Sequence, residues 1–96
     1  MRVRFTQRAA HQLDTILADV KKVNPEAAKA LRQRVEEVCE RIGQFPDGFQ
    51  EIGERKGVRR VPMVRFPYLI FYRTVDGETI VLRIRHGARR DLLDNL

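Results

Sequence analysis

The chain of 96 residues has one cysteine, no tryptophan and no long apolar run. A lone thiol, Cys39, forms neither an internal disulfide nor a zinc cluster, so a reducing cytoplasm is the expected location. No apolar stretch approaches the roughly 18 residues of a membrane span. Met1-Arg2-Val3-Arg4-Phe5 leads directly into a charged amphipathic segment and lacks the apolar core of a secretory signal. Repeats, low-complexity tracts and linkers are missing, and the length suits one core, so residues 1–96 are expected to form a single domain. His, Cys and Asp nowhere take metal-ligand spacing, and the stretch from Gly53 to Gly57 lacks the Gly-Lys-Ser/Thr of a phosphate loop. No metal or cofactor is expected, and that stretch reads as a flexible loop.

Acidic residues are also in short supply, 13 against 19 basic ones, for a net charge of +6. Fifteen of the cations are arginine, which binds carboxylates and phosphates through two parallel hydrogen bonds. This balance implies an anionic partner, either nucleic acid or an acidic protein. With 43% hydrophobic and 33% charged residues the chain should fold.

Val3 and Phe5 alternate with Arg2 and Arg4, as in a short half-buried strand. Thr6 can cap a helix whose apolar stripe runs Ala9/Ala10, Leu13, Ile16/Leu17, Val20 and Val23. Asn24-Pro25 ends it and opens a second helix, with stripe Ala27/Ala28, Leu31, Val35, Val38, Ile42 and Phe45. The pair reads as an antiparallel helical hairpin. Phe49 to Gly57 reads as loop, and Val58 to Arg65 as a strand that Pro62 restricts to an edge or bulge. Tyr68 to Val75 and Glu78 to His86 form a hairpin around Asp76-Gly77. The order β-α-α-β-β-β predicts an α+β fold, with the N-terminal strand in a small, mainly antiparallel sheet and the helical hairpin on one face.

A two-residue turn at Asp76-Gly77 pairs Val75 with Glu78, and onward Phe71 with Leu82, Ile70 with Arg83 and Leu69 with Ile84. Leu69, Phe71, Ile80, Leu82 and Ile84 are then expected beneath the helices. Tyr68, Ile70, Tyr72, Val81, Arg83 and Arg85 are expected on an uncovered face, suited either to phosphates and bases or to an acidic amphipathic peptide. A one-residue slip would exchange the faces.

Val58-Arg59-Arg60-Val61, Tyr68-Leu69-Ile70-Phe71-Tyr72-Arg73 and Ile84-Arg85-His86-Gly87-Ala88-Arg89-Arg90 resemble the RelE/ParE superfamily of bacterial toxins. The preceding strand and hairpin match the same plan, so the likeness covers nearly the whole chain. It implies the toxin of a type II toxin–antitoxin pair, with growth arrest and plasmid stabilisation as its readouts. The implied partner is a cognate antitoxin with an acidic amphipathic C-terminal segment. RelE-like members cut messenger RNA on the ribosome, whereas ParE-like members poison DNA gyrase without catalysis. His86-Gly87-Ala88-Arg89 resembles the ParE-type ending, with Gly87 where some interferases carry tyrosine.

RNA cleavage needs a base, an acid and cations. The cations are plentiful, and an endoribonuclease would use Arg59, Arg60, Arg83, Arg85 and His86. Acid–base groups are few. His11 lies early in the first helix, leaving His86 as the histidine near the sheet, and Tyr68 or Tyr72 would need a strongly lowered pKa. Binding is therefore favoured over cleavage. The expected target-binding residues are Arg65, Tyr68, Tyr72, Arg83, Arg85, Arg89 and Arg90, and the expected antitoxin-binding residues are Leu13, Leu17, Leu31, Val35 and Arg73. Cys39 is expected to be a buried, inert thiol.

Overall fold

The computed structural model describes residues 2–87. Strand β1 (Val3–Phe5) leads into helix α1 (Gln7–Val23), where the Thr6 hydroxyl accepts from the Ala9 N–H at 3.0 Å. Asn24 serves two helices. Its N–H donates to the Val20 carbonyl at 2.8 Å, and its side chain accepts from the Ala27 N–H at 3.1 Å to open α2 (Pro25–Gln44). Pro25 at the first helical position sacrifices no intrahelical bond.

The expected stripes bury Ala9 and Leu17 on α1, and Ala28, Leu31, Val35, Val38 and Ile42 on α2. Their last members do not follow. Val23 is 88% exposed at the turn between the helices, and Phe45 is exposed where the backbone leaves α2. None of the described helices is long and apolar enough to cross a membrane.

The sheet has the order β1-β5-β4-β3-β2, with β1 parallel to β5 and the other pairs antiparallel. Its remaining strands are β2 (Gln50–Glu51), β3 (Arg59–Pro62), β4 (Tyr68–Val75) and β5 (Glu78–His86). The stretch from Phe49 to Gly57, expected to be loop, contains β2 and is closed by hydrogen bonds. The Glu51 carboxylate accepts from the Gly57 N–H at 2.8 Å, and the Ile52 N–H donates to the Val58 carbonyl at 2.9 Å. β3 stops at Pro62 instead of reaching Arg65, and Met63 to Phe66 form a tight turn.

Asp76 (φ +50°) and Gly77 (φ +77°) make the expected turn, and Val75 faces Glu78. The pairing runs as expected to Tyr72–Val81. There Leu82 is inserted as a bulge, and the register resumes as Phe71–Arg83, Ile70–Ile84, Leu69–Arg85 and Tyr68–His86. Strict alternation would place Val81 and Ile84 on opposite faces. The extra residue turns both toward the helices.

The face assignment therefore changes. Ile70, Tyr72, Val81 and Ile84 pack beneath Leu17, Leu31, Val35, Val38 and Ile42, and Tyr68 joins their edge. Of the five residues expected in that core, Ile84 alone belongs to it. Leu69, Phe71 and Leu82 form a second cluster on the outer face with Ile52 and Val58. That face is covered in part by residues 52–58, which close their hydrogen bonds across it.

Where β1 ends, α1 takes over the edge of β5. The Thr6 N–H donates to the Val81 carbonyl at 3.0 Å, the Thr6 hydroxyl to the Leu82 carbonyl at 3.3 Å, and the Ile84 N–H to Gln12 Oε1 at 2.9 Å.

Candidate functional site

The pairing of β3, β4 and β5 sets Arg60, Phe71 and Arg83 in one cross-strand row, with Leu69 and Arg85 in the next. Directly paired residues share a face, so Arg60, Arg83 and Arg85 stand on the same side of the sheet as Phe71, away from the helices. Arg83 and Arg85 are only 4% and 6% exposed, and are not the solvated strand cations that alternation alone would suggest. The Arg85 guanidinium carbon lies 5.1 Å from the Phe71 centroid, and its Nη1 donates to the His86 carbonyl at 2.9 Å. A planar cation held on an aromatic ring is oriented before any anion arrives.

Of the tyrosines expected beside these arginines, Tyr72 lies across the sheet and Tyr68 lines a cleft that Arg83 and Arg85 also reach. Tyr72 is fully buried; its ring meets Phe49 edge-on, and its hydroxyl donates to the Pro46 carbonyl at 2.6 Å. Burial pushes its ionisation up to about 12, opposed by Arg59 and reinforced by Asp47, so it is no general base. Tyr68 packs edge-on against His86 with centroids 5.7 Å apart. Both line a cleft of about 490 Å³ between α1 and the end of the sheet, with His11, Gln12, Thr15 and Asp19 on the helical wall.

His11 was expected to lie apart from His86, but the fold brings the two into one cleft. His11, Thr15 and Asp19 recur every four residues on α1, a polar stripe beside the apolar one that the sequence already carried.

Arg59 stands on the helix side with Tyr72. Its Nη1 donates to the Phe49 carbonyl at 2.6 Å and its Nη2 lies 3.7 Å from the Asp47 carboxylate, so it clasps the segment after α2. The five residues expected for RNA cleavage thus divide. Arg60, Arg83 and Arg85 share the outer face and Arg59 lies on the other, while Arg83, Arg85 and His86 meet at the α1 cleft.

Arg65 projects from the β3–β4 turn, exposed and at φ +80°. Arg89 and Arg90 lie outside the described residues. The expected antitoxin residues do not form a surface. Leu17, Leu31 and Val35 are buried in the core, Leu13 packs against it, and Arg73 is exposed near the Asp76-Gly77 turn. The stripe that looked like a docking edge is consumed by the sheet. Cys39 is half-buried, and burial, aided by Glu36, pushes its thiol up to about 11, as suits an unreactive sulfur. Among the described residues no group of three or more His, Cys, Asp or Glu could hold a metal ion.

A helical hairpin on a five-stranded sheet is an architecture shared with solved toxins of toxin–antitoxin systems. The chromosomal ParDE system of P. aeruginosa provides a similar chain, with a TM-score of 0.79 and 28% identity over 90% of this chain and 95% of that one. The isolated E. coli RelE toxin shares the fold at a TM-score of 0.58 and 13% identity, covering 98% and 92% of the two chains. A chain of the RelBE2 toxin–antitoxin complex of Mycobacterium tuberculosis matches at 0.58 and 25%, covering 92% of each. A candidate toxin of Sinorhizobium fredii, Y4kP, is 29% identical over 89 residues, 93% of this chain and 91% of its own length. The family described as the ParE toxin of type II toxin–antitoxin systems, parDE, matches residues 3–91. The chain belongs to that family and is a ParE-type toxin.

Proposed function

We propose that this toxin acts by binding DNA gyrase and stabilising its cleaved DNA complex, without chemistry of its own, and that a cognate antitoxin neutralises it. The cation on the outer face carries this reading, because the Arg85 guanidinium lies over the Phe71 ring beside the Arg60–Phe71–Arg83 row. Arg60 and Arg83 flank Phe71 in register, while Arg83 and Arg85 also line the α1 cleft that holds His11, Tyr68 and His86. An in-line cleavage needs base, acid and phosphate-binding cations within hydrogen-bond reach of one phosphodiester. Tyr72 is buried and held neutral, so it adds nothing to such a set. Cations held on an aromatic ring in a nearly closed surface suit the recognition of an acidic protein or nucleic-acid backbone.

Gel electrophoresis of plasmid DNA with purified gyrase tests the proposal. The toxin should inhibit supercoiling and raise the yield of cleaved complex, and neither change would occur if the target lay elsewhere. One observation favours a second reading, a ribosome-dependent endoribonuclease. The α1 cleft gathers His11, Tyr68 and His86 with Arg83 and Arg85, a fuller set of acid–base groups and cations than the sequence suggested. Codon-phased cuts in translated messages, abolished by His86→Ala or His11→Ala, would establish that reading in place of the first.

A further inference from the structure

The cleft between α1 and the end of the sheet holds a polar arrangement that neither the core nor the helix caps require. Its volume, about 490 Å³, lies in the range of roughly 300–1,000 Å³ typical of sites that enclose small ligands. Arg83 and Arg85, 4% and 6% exposed, reach it from the sheet. The exposed side chains of His11, Thr15 and Asp19 line it from α1.

The helix and the strand that bound the cleft run in the same direction. Thr6 bonds to Val81 and Leu82 and Gln12 bonds to Ile84, so α1 advances along β5 toward His86, the partner of Tyr68. By that order His11 falls nearest Arg83 and Arg85, and Asp19 nearest the Tyr68–His86 pair. Along the helix His11 and Asp19 are about 12 Å apart, at a rise of about 1.5 Å per residue. The cleft is thus cationic at one end and carries two aromatic rings and a carboxylate at the other.

That polarity selects the occupant. An acidic peptide would bring carboxylates to Asp19 as well as to the arginines, and Asp19 would repel them. A nucleotide divides its chemistry, with an anionic phosphate at one end and a flat, neutral base at the other. Arginine takes a phosphate through paired hydrogen bonds, and a carboxylate accepts from the amino group of cytosine. Tyr68 and His86, edge-on with centroids 5.7 Å apart, give a base one ring face to stack on. We infer that this cleft binds one unpaired nucleotide of a DNA strand, its phosphate toward Arg83, Arg85 and His11 and its base against Tyr68 and His86, with Asp19 accepting from a base amino group. The choice of DNA rests on the gyrase reading above, in which the toxin meets a broken strand.

Fluorescence anisotropy of the full chain with short labelled oligodeoxycytidylate and oligodeoxythymidylate tests this, with thermal melting in parallel. The cytosine strand should bind several-fold more tightly, because thymine lacks the amine that Asp19 accepts from. Asp19→Ala should erase that difference. His11→Glu sets a carboxylate beside the phosphate and should lose at least about tenfold in affinity, with weaker inhibition of gyrase. Both positions are exposed, so both variants should melt as wild type. Equal binding of the two strands, unchanged in either variant, is the general attraction of a +6 chain for polyanions and overturns the cleft. Tighter binding of oligoribocytidylate than of its deoxy counterpart overturns the assignment to DNA. A wild-type chain that inhibits gyrase without preferring cytosine sinks the inference and leaves the gyrase reading standing. One that prefers cytosine but leaves gyrase untouched sinks that reading and keeps the nucleotide in the cleft.

Discussion

The Arg85 guanidinium lies over the Phe71 ring, 5.1 Å from its centroid, on the sheet face turned away from the helices. On the proposed function the contact would join target recognition to stability, because Phe71 also belongs to the outer apolar cluster. Phe71→Leu keeps most of the apolar volume and removes the cation's platform, which is worth about 0.5–2 kcal/mol. Urea unfolding should show a loss of about 1–2 kcal/mol. Arg85→Gln should weaken gyrase inhibition more than Phe71→Leu does, since it deletes the charge itself. Full inhibition by Arg85→Gln would remove this face from the interface.

Arg59 should behave as a structural residue. Its bonds to the Phe49 carbonyl and the Asp47 carboxylate hold the segment leaving α2. Arg59→Ala should therefore lower stability by about 1–3 kcal/mol, the usual effect of leaving such an acceptor unsatisfied. The folded fraction, measured by circular dichroism, should retain the wild-type effect on gyrase per molecule.

Tyr72 makes stability fall at alkaline pH. Its phenol ionises at about 12 in the folded chain against an ordinary value of 10. Folding thus favours the neutral form, and the stabilisation is complete below pH 10 and lost as pH rises toward 12. Cys39, raised from 9 to about 11, acts in the same direction over a window one unit lower. Denaturant midpoints measured between pH 8 and 11.5 should decline, and Tyr72→Phe with Cys39→Ala should flatten the decline. An unchanged slope in the double variant would contradict the burial of both groups.

The two N-caps should be separable. Asn24→Ala removes the acceptor of the Ala27 N–H and should destabilise by about 0.5–2 kcal/mol. Thr6→Ala removes both the α1 cap and the bond to the Leu82 carbonyl, so it should be the more damaging. Thermal melts of the two single variants give the comparison.

Much of this was legible locally. Thr6 and Asn24-Pro25 announced the helix starts, the apolar spacing announced both helices, and Asp76-Gly77 announced the hairpin. Each signal lies within a few residues of the structure it specifies. The fate of the apolar stripes was not legible, because a stripe such as Leu31 and Val35 has the same spacing whether it meets the sheet of its own chain or a partner. Neither was the α1 cleft, since His11 and His86 are 75 positions apart and meet only when α1 covers the edge of β5.

The sequence by itself determined the elements, their order and the turn that begins the β4–β5 pairing, because caps, periodicity and φ preferences act over short range. Tertiary structure decided which face each strand residue occupies. The bulge at Leu82 satisfies packing on both sides of the sheet, turning Val81 and Ile84 toward the helices and Arg83 and Arg85 outward. Where that extra residue falls depends on which apolar side chains fill two cores made from distant segments, a requirement that no local pattern expresses.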